Sequence, residues 1–283
     1  GPQVSGTSDE SWDFTLLTSA PAQPSIENVE DNYTQGTDAD TGLLQKGQAT
    51  NDATLTLNGT AGAGMTVQIW ATDKDGQRVK VGEGTADENG RWSITTDALG
   101  EDGAYDLTAT AVNAAGVSSA ETGAFPIVLD TVAPAQAVAT LNDDQGDKTG
   151  VINAGDVTDD RTPTLTGTGE AGATVAVYLD GSTTAAGSVV VDAQGNWTLP
   201  LASLEDGEHS YQIKITDSAG NETLSPKVDF TVDASSVALT IDHANDNVGK
   251  LTGAVLTGGL TDDSTPELQG TAAAGAVVTI KDA

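Results

Sequence analysis

The apolar residues of this chain fall in short alternating runs. Thr164-Leu165-Thr166-Gly167, Thr174-Val175-Ala176-Val177-Tyr178, Ser188-Val189-Val190-Val191, Trp197-Thr198-Leu199 and Tyr211-Gln212-Ile213-Lys214-Ile215 are rich in Thr and Val. They alternate with the period of a half-buried strand. Asp180-Gly181, Ala193-Gln194-Gly195-Asn196 and Asp206-Gly207 stand between them. They read as turns, because Gly accepts a positive φ and Asp and Asn side chains bond back to their own backbone. No stretch carries a helical period of useful length, so the pattern predicts an all-β chain.

The pattern also repeats. Leu57-Asn58-Gly59-Thr60-Ala61-Gly62-Ala63-Gly64 returns as Leu165-Thr166-Gly167-Thr168-Gly169-Glu170-Ala171-Gly172 and as Leu268-Gln269-Gly270-Thr271-Ala272-Ala273-Ala274-Gly275. Gly90-Arg91-Trp92 matches Gly195-Asn196-Trp197, Asn113-Ala114-Ala115-Gly116 matches Asp217-Ser218-Ala219-Gly220, and Val128-Leu129-Asp130 matches Thr231-Val232-Asp233. Landmarks kept in one order, roughly a hundred residues apart, mark tandem domains. The boundaries place repeat one at 19–130 and repeat two at 131–233. Repeat three begins at 234 and stops near its middle at 283, so 234–283 is expected to be poorly ordered or partnered by another chain. Residues 1–18 read as a Gly-Pro tag scar followed by the last strand of a preceding repeat. Trp12-Asp13-Phe14-Thr15-Leu16-Leu17 parallels Val228-Asp229-Phe230-Thr231-Val232-Asp233. About seven strands per hundred residues, with a turn every 8–12, predicts tandem Ig-like Greek-key β-sandwiches in a linear array. Trp92 and Trp197 are the expected core anchors. Trp70 and Tyr178 align on one strand and could form an aromatic patch.

Composition narrows the chemistry. The 283 residues include no Cys and two His, and 42 Asp+Glu against 11 Lys+Arg leave a net charge of −31. Disulfide frameworks, thiolate metal sites and cysteine nucleophiles are excluded, and His-based catalysis has almost no material. So negative a chain repels nucleic acid and anionic membranes. No apolar run reaches the ~18 residues of a spanning helix, so direct membrane insertion is not expected. Carboxylate pairs suited to glycoside hydrolysis exist, but they lie on turn loops without a pocket signature. The chain therefore reads as non-enzymatic and monomeric.

The acids concentrate on particular loops. Asn142-Asp143-Asp144-Gln145-Gly146-Asp147-Lys148-Thr149-Gly150 matches Asn245-Asp246-Asn247-Val248-Gly249-Lys250-Leu251-Thr252-Gly253. Each loop closes with Thr158-Asp159-Asp160-Arg161-Thr162-Pro163 or Thr261-Asp262-Asp263-Ser264-Thr265-Pro266. Repeat one has Thr50-Asn51-Asp52-Ala53-Thr54-Leu55, with Asp31, Asp38 and Asp40 earlier. An up-and-down count of strands puts these loops at the pole that meets the next repeat. At the first junction Asp130, Asp31, Asp52 and Asp102 then face Asp217 and Asn221. At the second, Asp233, Asp143, Asp144, Asp159, Asp160 and Asp206 face repeat three. Like charges at ~5 Å repel, and a hard cation reverses that cost. Ca2+ takes six to eight oxygens from Asp, Asn, backbone carbonyls and water, whereas Mg2+ holds to stricter octahedral geometry. The other reading is that these Asp and Asn residues are simply turn formers. Asp73-Lys74-Asp75-Gly76, Asp87 and Asp192 read as turns of that kind.

Thr-Asp-Asp-x-Thr-Pro-x-Leu-x-Gly-Thr, the Gly-Asn-Trp turn and Thr-Asp-Ser-Ala-Gly-Asn resemble the bacterial Ig-like repeats of giant type I-secreted non-fimbrial adhesins, SiiE/BapA-like. The resemblance covers essentially the whole chain. It implies a secreted stalk on the outer surface of a Gram-negative cell, a virulence or biofilm role, and Ca2+ near domain junctions. Its partners would be a host-cell surface or a biofilm matrix, glycans included, and neighbouring repeats of the same chain. By position it implies Asp130, Asp143, Asp144, Asp159, Asp160, Asp217 and Asp233 as ion ligands. Leu17 stands where later linkers carry Asp130 and Asp233, and Asn51 and Asn113 replace the acids at Asp159 and Asp217. Repeat-one sites are therefore expected to be weaker or rearranged. The alternative reading is a module that itself binds glycans.

Overall fold

A computed structural model describes residues 19–33, 42–146, 149–235, 238–250 and 252–281. Residues 1–18, with the segment read as the last strand of a preceding repeat, lie outside these, as do Asp38, Asp40 and Asp147. Every regular element among the described residues is a strand. Repeat one holds β1 (Ser25–Asp31), β2 (Gly42–Leu43), β3 (Ala49–Thr50), β4 (Thr56–Thr60), β5 (Thr66–Asp73), β6 (Arg78–Thr85), β7 (Arg91–Thr95), β8 (Gly103–Val112) and β9 (Phe125–Leu129). Repeat two holds β10 (Val138–Asp143), β11 (Gly150–Ile152), β12 (Val157–Thr158), β13 (Thr164–Thr168), β14 (Thr174–Leu179), β15 (Gly187–Val190), β16 (Asn196–Pro200), β17 (Gly207–Thr216), β18 (Glu222–Leu224) and β19 (Val228–Val232). Repeat three contributes β20 (Leu239–Asp246), β21 (Gly253–Val255) and β22 (Glu267–Ala272).

The two whole repeats share one topology. In repeat one the sheets run β2-β1-β4-β7 and β3-β9-β8-β5-β6; in repeat two they run β11-β10-β13-β16 and β12-β19-β17-β14-β15, with β18 also on β17. All pairings are antiparallel except β3 with β9 and β12 with β19. The chain therefore crosses between sheets several times in each repeat, which makes an Ig-like sandwich. Strand alternation explains the core. In β5, Val67, Ile69 and Ala71 point inward, and in β14 Val175 and Val177 do the same.

Each core is pinned by a Trp seated on a Gly. Gly59 pairs with Trp92 and Gly167 with Trp197 across the β4–β7 and β13–β16 ladders. A Cβ on Gly59 would lie 2.5 Å from Trp92 Cζ2, and one on Gly167 would lie 2.6 Å from Trp197 Cζ2. The carbonyl of the neighbouring strand is nearer still, with Ser25 O and Val138 O each 1.9 Å from that position, so only Gly leaves room for carbonyl and indole together, and the Leu-x-Gly-Thr landmark is a packing requirement. Both indoles are 4% exposed. In repeat three, Gly270 faces Ile241 on β20. The sheet order is β21-β20-β22, and Leu239, Ile241, Leu268 and Ile280 are exposed. Among the described residues no second sheet covers that face.

Candidate metal centre

The acidic loops have a common internal order. In repeat two, Thr158 Oγ1 donates to Asp143 Oδ2 and accepts from Asp160 N. Asp160 Oδ2 accepts from Asp144 N at 3.3 Å, and its Oδ1 accepts from Thr162 N and Oγ1 at 2.7 and 3.2 Å. Asp143 Oδ1 accepts from Gln145 N. Repeat one reproduces this with Thr50 Oγ1 on Asp31 at 2.5 Å, and with Asp52 accepting from Asn32 N, Thr54 N and Thr54 Oγ1. Repeat three does so with Asp246, Thr261 and Asp263. Three copies of one Asp–Thr–Asp bridge thus close the long loop after the first strand. Asp160 is fully buried and Asp52 nearly so. Hydrogen bonds to the charged form are what make burying such carboxylates tolerable. The bridge accounts for burial of Asp31, Asp52, Asp143 and Asp160 by local bonds.

The remaining acids lie differently. Asp102, Asp144, Asp159, Asp206 and Asp233 are exposed, and Asp130 is half-buried. Asp159 sits against Gly146, and its counterpart Asp262 against Gly249; both glycines have positive φ, 66° and 73°. The Asp233 carboxyl is held below its ordinary range by bonds from Ser235 Oγ and N. Asp73, Asp87 and Asp192 each accept backbone N–H groups within tight turns.

The first junction brings residues of two repeats together. Asn51 N donates to Ala219 O at 3.1 Å, and Asn221 Nδ2 donates to Asp130 O at 2.8 Å and to Asp217 Oδ2 at 2.9 Å. Asp217 Oδ1 accepts from Ala219 N and Asn221 N, which shapes the β17–β18 turn. Thr131 Oγ1, in the linker, donates to Asp102. Asn51, Asp102, Asp130, Asp217 and Asn221 therefore belong to one neighbourhood. Asp31 and Asp52 adjoin it through their own loop. Among the described residues no three His, Cys, Asp or Glu side chains converge as a metal cluster. The oxygens at the junction come from a mixed set instead. Asn51 is only 6% exposed, and its Oδ1 has no hydrogen-bond partner. A buried, unpaired carbonyl oxygen is costly, and a hard cation that binds neutral and charged oxygens together would satisfy it. The residues present fit Ca2+ on that ground. By sequence Asn51 is only a weaker stand-in for the acid at Asp159; what marks it is burial, which no local pattern shows.

The aromatic patch is partly covered. The Arg78 guanidinium lies 3.6 Å from the Trp70 ring centre, Trp70 Nε1 donates to Thr110 Oγ1, and Arg78 pairs with Glu121. Lys214 stands 5.9 Å from the Tyr178 ring. The Arg78 guanidinium thus covers one face of Trp70, while Lys214, paired with Glu222, stands farther from Tyr178. A shallow cavity of about 320 Å³ lies beside the β5–β6 turn, lined in part by Asp73, Leu99, Glu101 and Tyr105.

The sequence model of the bacterial Ig-like domain family matches residues 26–131 and 135–234. No curated protein sequence matches the chain. Among solved structures, a biofilm-associated protein BSP domain is 18% identical over 68% of this chain and 30% of its own, with a TM-score of 0.26. The fibronectin(III)-like modules of Clostridium thermocellum CbhA are 18% identical over 66% of this chain and 90% of theirs, with a TM-score of 0.37. The FN1–FN3 domains of chicken CNTN1 are 13% identical over 75% of this chain and 65% of theirs, also at 0.37. Likenesses this distant carry nothing further about function.

Proposed function

The chain belongs to the bacterial Ig-like domain family, and from that premise we propose that it is a non-enzymatic, extracellular stalk or adhesion segment of a large surface adhesin, SiiE/BapA-like, stiffened by Ca2+ at its domain junctions. Its repeats would occupy 19–130, 131–233 and 234–283. The observation that carries this reading is the buried, unpartnered Asn51 Oδ1 where repeat one meets the β17–β18 turn of repeat two. Asn51, Asp130 and Asp217 would hold the ion, with backbone carbonyls beside them. The bound cation supplies charge compensation and a rigid link. At the second linker Asp159 replaces Asn51, but Arg161 replaces Ala53 and pairs with Asp206, so the added carboxylate is offset by an added guanidinium.

Modules of this kind hold Ca2+ with Kd of ~10⁻⁴–10⁻³ M. At millimolar free Ca2+ each site would add roughly 0.5–2 kcal/mol. The chain's own residues do the rest: the Asp–Thr–Asp bridges set the loops, and Asn221 ties the linker carbonyl of Asp130 to repeat two. Titration calorimetry with Ca2+ tests the reading. Asn51→Ala and Asp130→Ser should each weaken binding at the first junction at least fivefold and leave both sandwiches folded. Heats identical to wild type in both variants would sink it.

A further inference from the structure

The loop that precedes the central strand of the second sheet is fastened differently in the two repeats. Glu101-Asp102-Gly103-Ala104-Tyr105 in repeat one aligns with Glu205-Asp206-Gly207-Glu208-His209 in repeat two. Tyr105 Oη donates to Glu101 O at 2.7 Å, four residues back. This is the tyrosine corner of Ig-like sandwiches. In repeat two the same reach is made by His209, whose Nε2 lies 2.8 Å from Glu205 O. The other ring nitrogen, Nδ1, lies 2.9 Å from Asp180 Oδ2 on the β14–β15 turn. Asp180 also accepts from Ser210 N and is the sole non-Gly residue with positive φ among those described, at 53°.

Both ring nitrogens thus face oxygens that can only accept. A neutral imidazole carries one N–H and one lone pair, so it can satisfy only one of them. Protonated, it donates to both. The loop it fastens also holds the second linker: Asp206 Oδ1 accepts from Ala234 N at 3.0 Å and pairs with Arg161 at 2.8 Å. At the first junction Asp102 holds Thr131 in the same way, but beneath a tyrosine.

We infer that His209 is a proton-operated clasp: when protonated it binds the β14–β15 turn and the 204–207 loop to β17, and through Asp206 it steadies the second linker, whereas the first linker has no such dependence. The charged groups around the ring are few. Asp180 faces it from the β14–β15 turn. Glu205, Asp206 and Glu208 share its own loop and strand. Arg161 reaches Asp206 and Glu205 from the loop before β13. On β19 the ring meets Phe230, 5.8 Å between centres, and the pair Lys227–Asp229 lies nearby. Burial opposes the charged ring, but the Glu205 carbonyl and the Asp180 carboxylate outweigh it and raise its pKa.

NMR titration of the wild-type chain reads the clasp directly. The His209 ring should titrate above the ordinary value of about 6.5, with both ring N–H signals present at acid pH. Relative to His209→Tyr, which installs the residue of repeat one, the wild-type Tm of repeat two should fall by about 3–6 °C from pH 5.5 to pH 8.5. Hydrogen exchange at Ala234 N–H should accelerate over the same range beyond its intrinsic rise, again only in wild type. A midpoint at or below 6.5 would overturn the clasp. So would a His209→Tyr or Asp180→Asn variant that keeps the full pH response. Unchanged Ala234 protection would overturn its link to the second linker.

Discussion

At the scale of single residues, the sharpest constraint is steric. Gly167 leaves the space shared by the Val138 carbonyl and the Trp197 indole, so Gly167→Ala pushes both the neighbouring strand and the ring off their seats. Overpacking of this kind costs ~1–3 kcal/mol, and a calorimetric scan should show repeat two melting well below wild type while repeat one is unmoved. The Trp itself makes a second test. Its Nε1, like that of Trp92, is buried without an acceptor, so that donor weakens the fold. Trp197→Phe should therefore cost less than about 2 kcal/mol, against ~3–5 kcal/mol for Trp197→Ala. A Trp197→Phe loss of ~3 kcal/mol or more would mean that the indole N–H makes a bond that stabilises the fold. The Leu-x-Gly-Thr and Gly-x-Trp landmarks were both legible in the sequence, but their contact was not, because some thirty residues separate them.

At the scale of elements, the Asp–Thr–Asp bridge converts a long acidic loop into a fixed piece of the sandwich. Thr158→Val removes the hydroxyl that Asp143 and Asp160 share. Leaving a buried acceptor and a buried donor unpaired should cost roughly 2–4 kcal/mol. Thr158→Ser should restore most of it. Chemical denaturation midpoints separate the two, and a Val variant as stable as wild type would rule the bridge out as a stabilising element. Acid acts on the corner as well. Burial opposes the Asp180 charge, but bonds from His209 and Ser210 N outweigh it and hold its pKa low. The stabilisation from this pair is complete below the unfolded His value near 6.5 and above the unfolded Asp value near 3.9. It fades as pH rises through the raised His209 pKa, and again as pH falls through the lowered Asp180 pKa.

At the scale of the whole molecule, charge governs. A net charge of −31 favours separation of the repeats, and the proposed ions oppose it. Small-angle scattering should show a stiffer, less variable particle in millimolar Ca2+ than in EGTA, with Tm higher by several degrees. Superimposable profiles and melting curves in the two buffers would remove Ca2+ from the account of the stalk. Magnesium at equal concentration should substitute poorly, because it demands tighter geometry than a mixed Asn, Asp and carbonyl set provides.

Alternation of period two, turn residues at regular spacing and the hundred-residue repeat determined the all-β, tandem architecture by themselves, because strand faces and turn conformations are written in neighbouring residues. The acidic loops were equally plain as sequence. Their roles were not. Only the folded chain shows that Asp143 and Asp160 are held by Thr158, that Asn51 is buried under the next repeat, and that His209 stands where repeat one has a tyrosine hydroxyl. Those facts depend on which distant oxygens and hydroxyls burial brings within three ångströms of one another, and local sequence carries no measure of that distance.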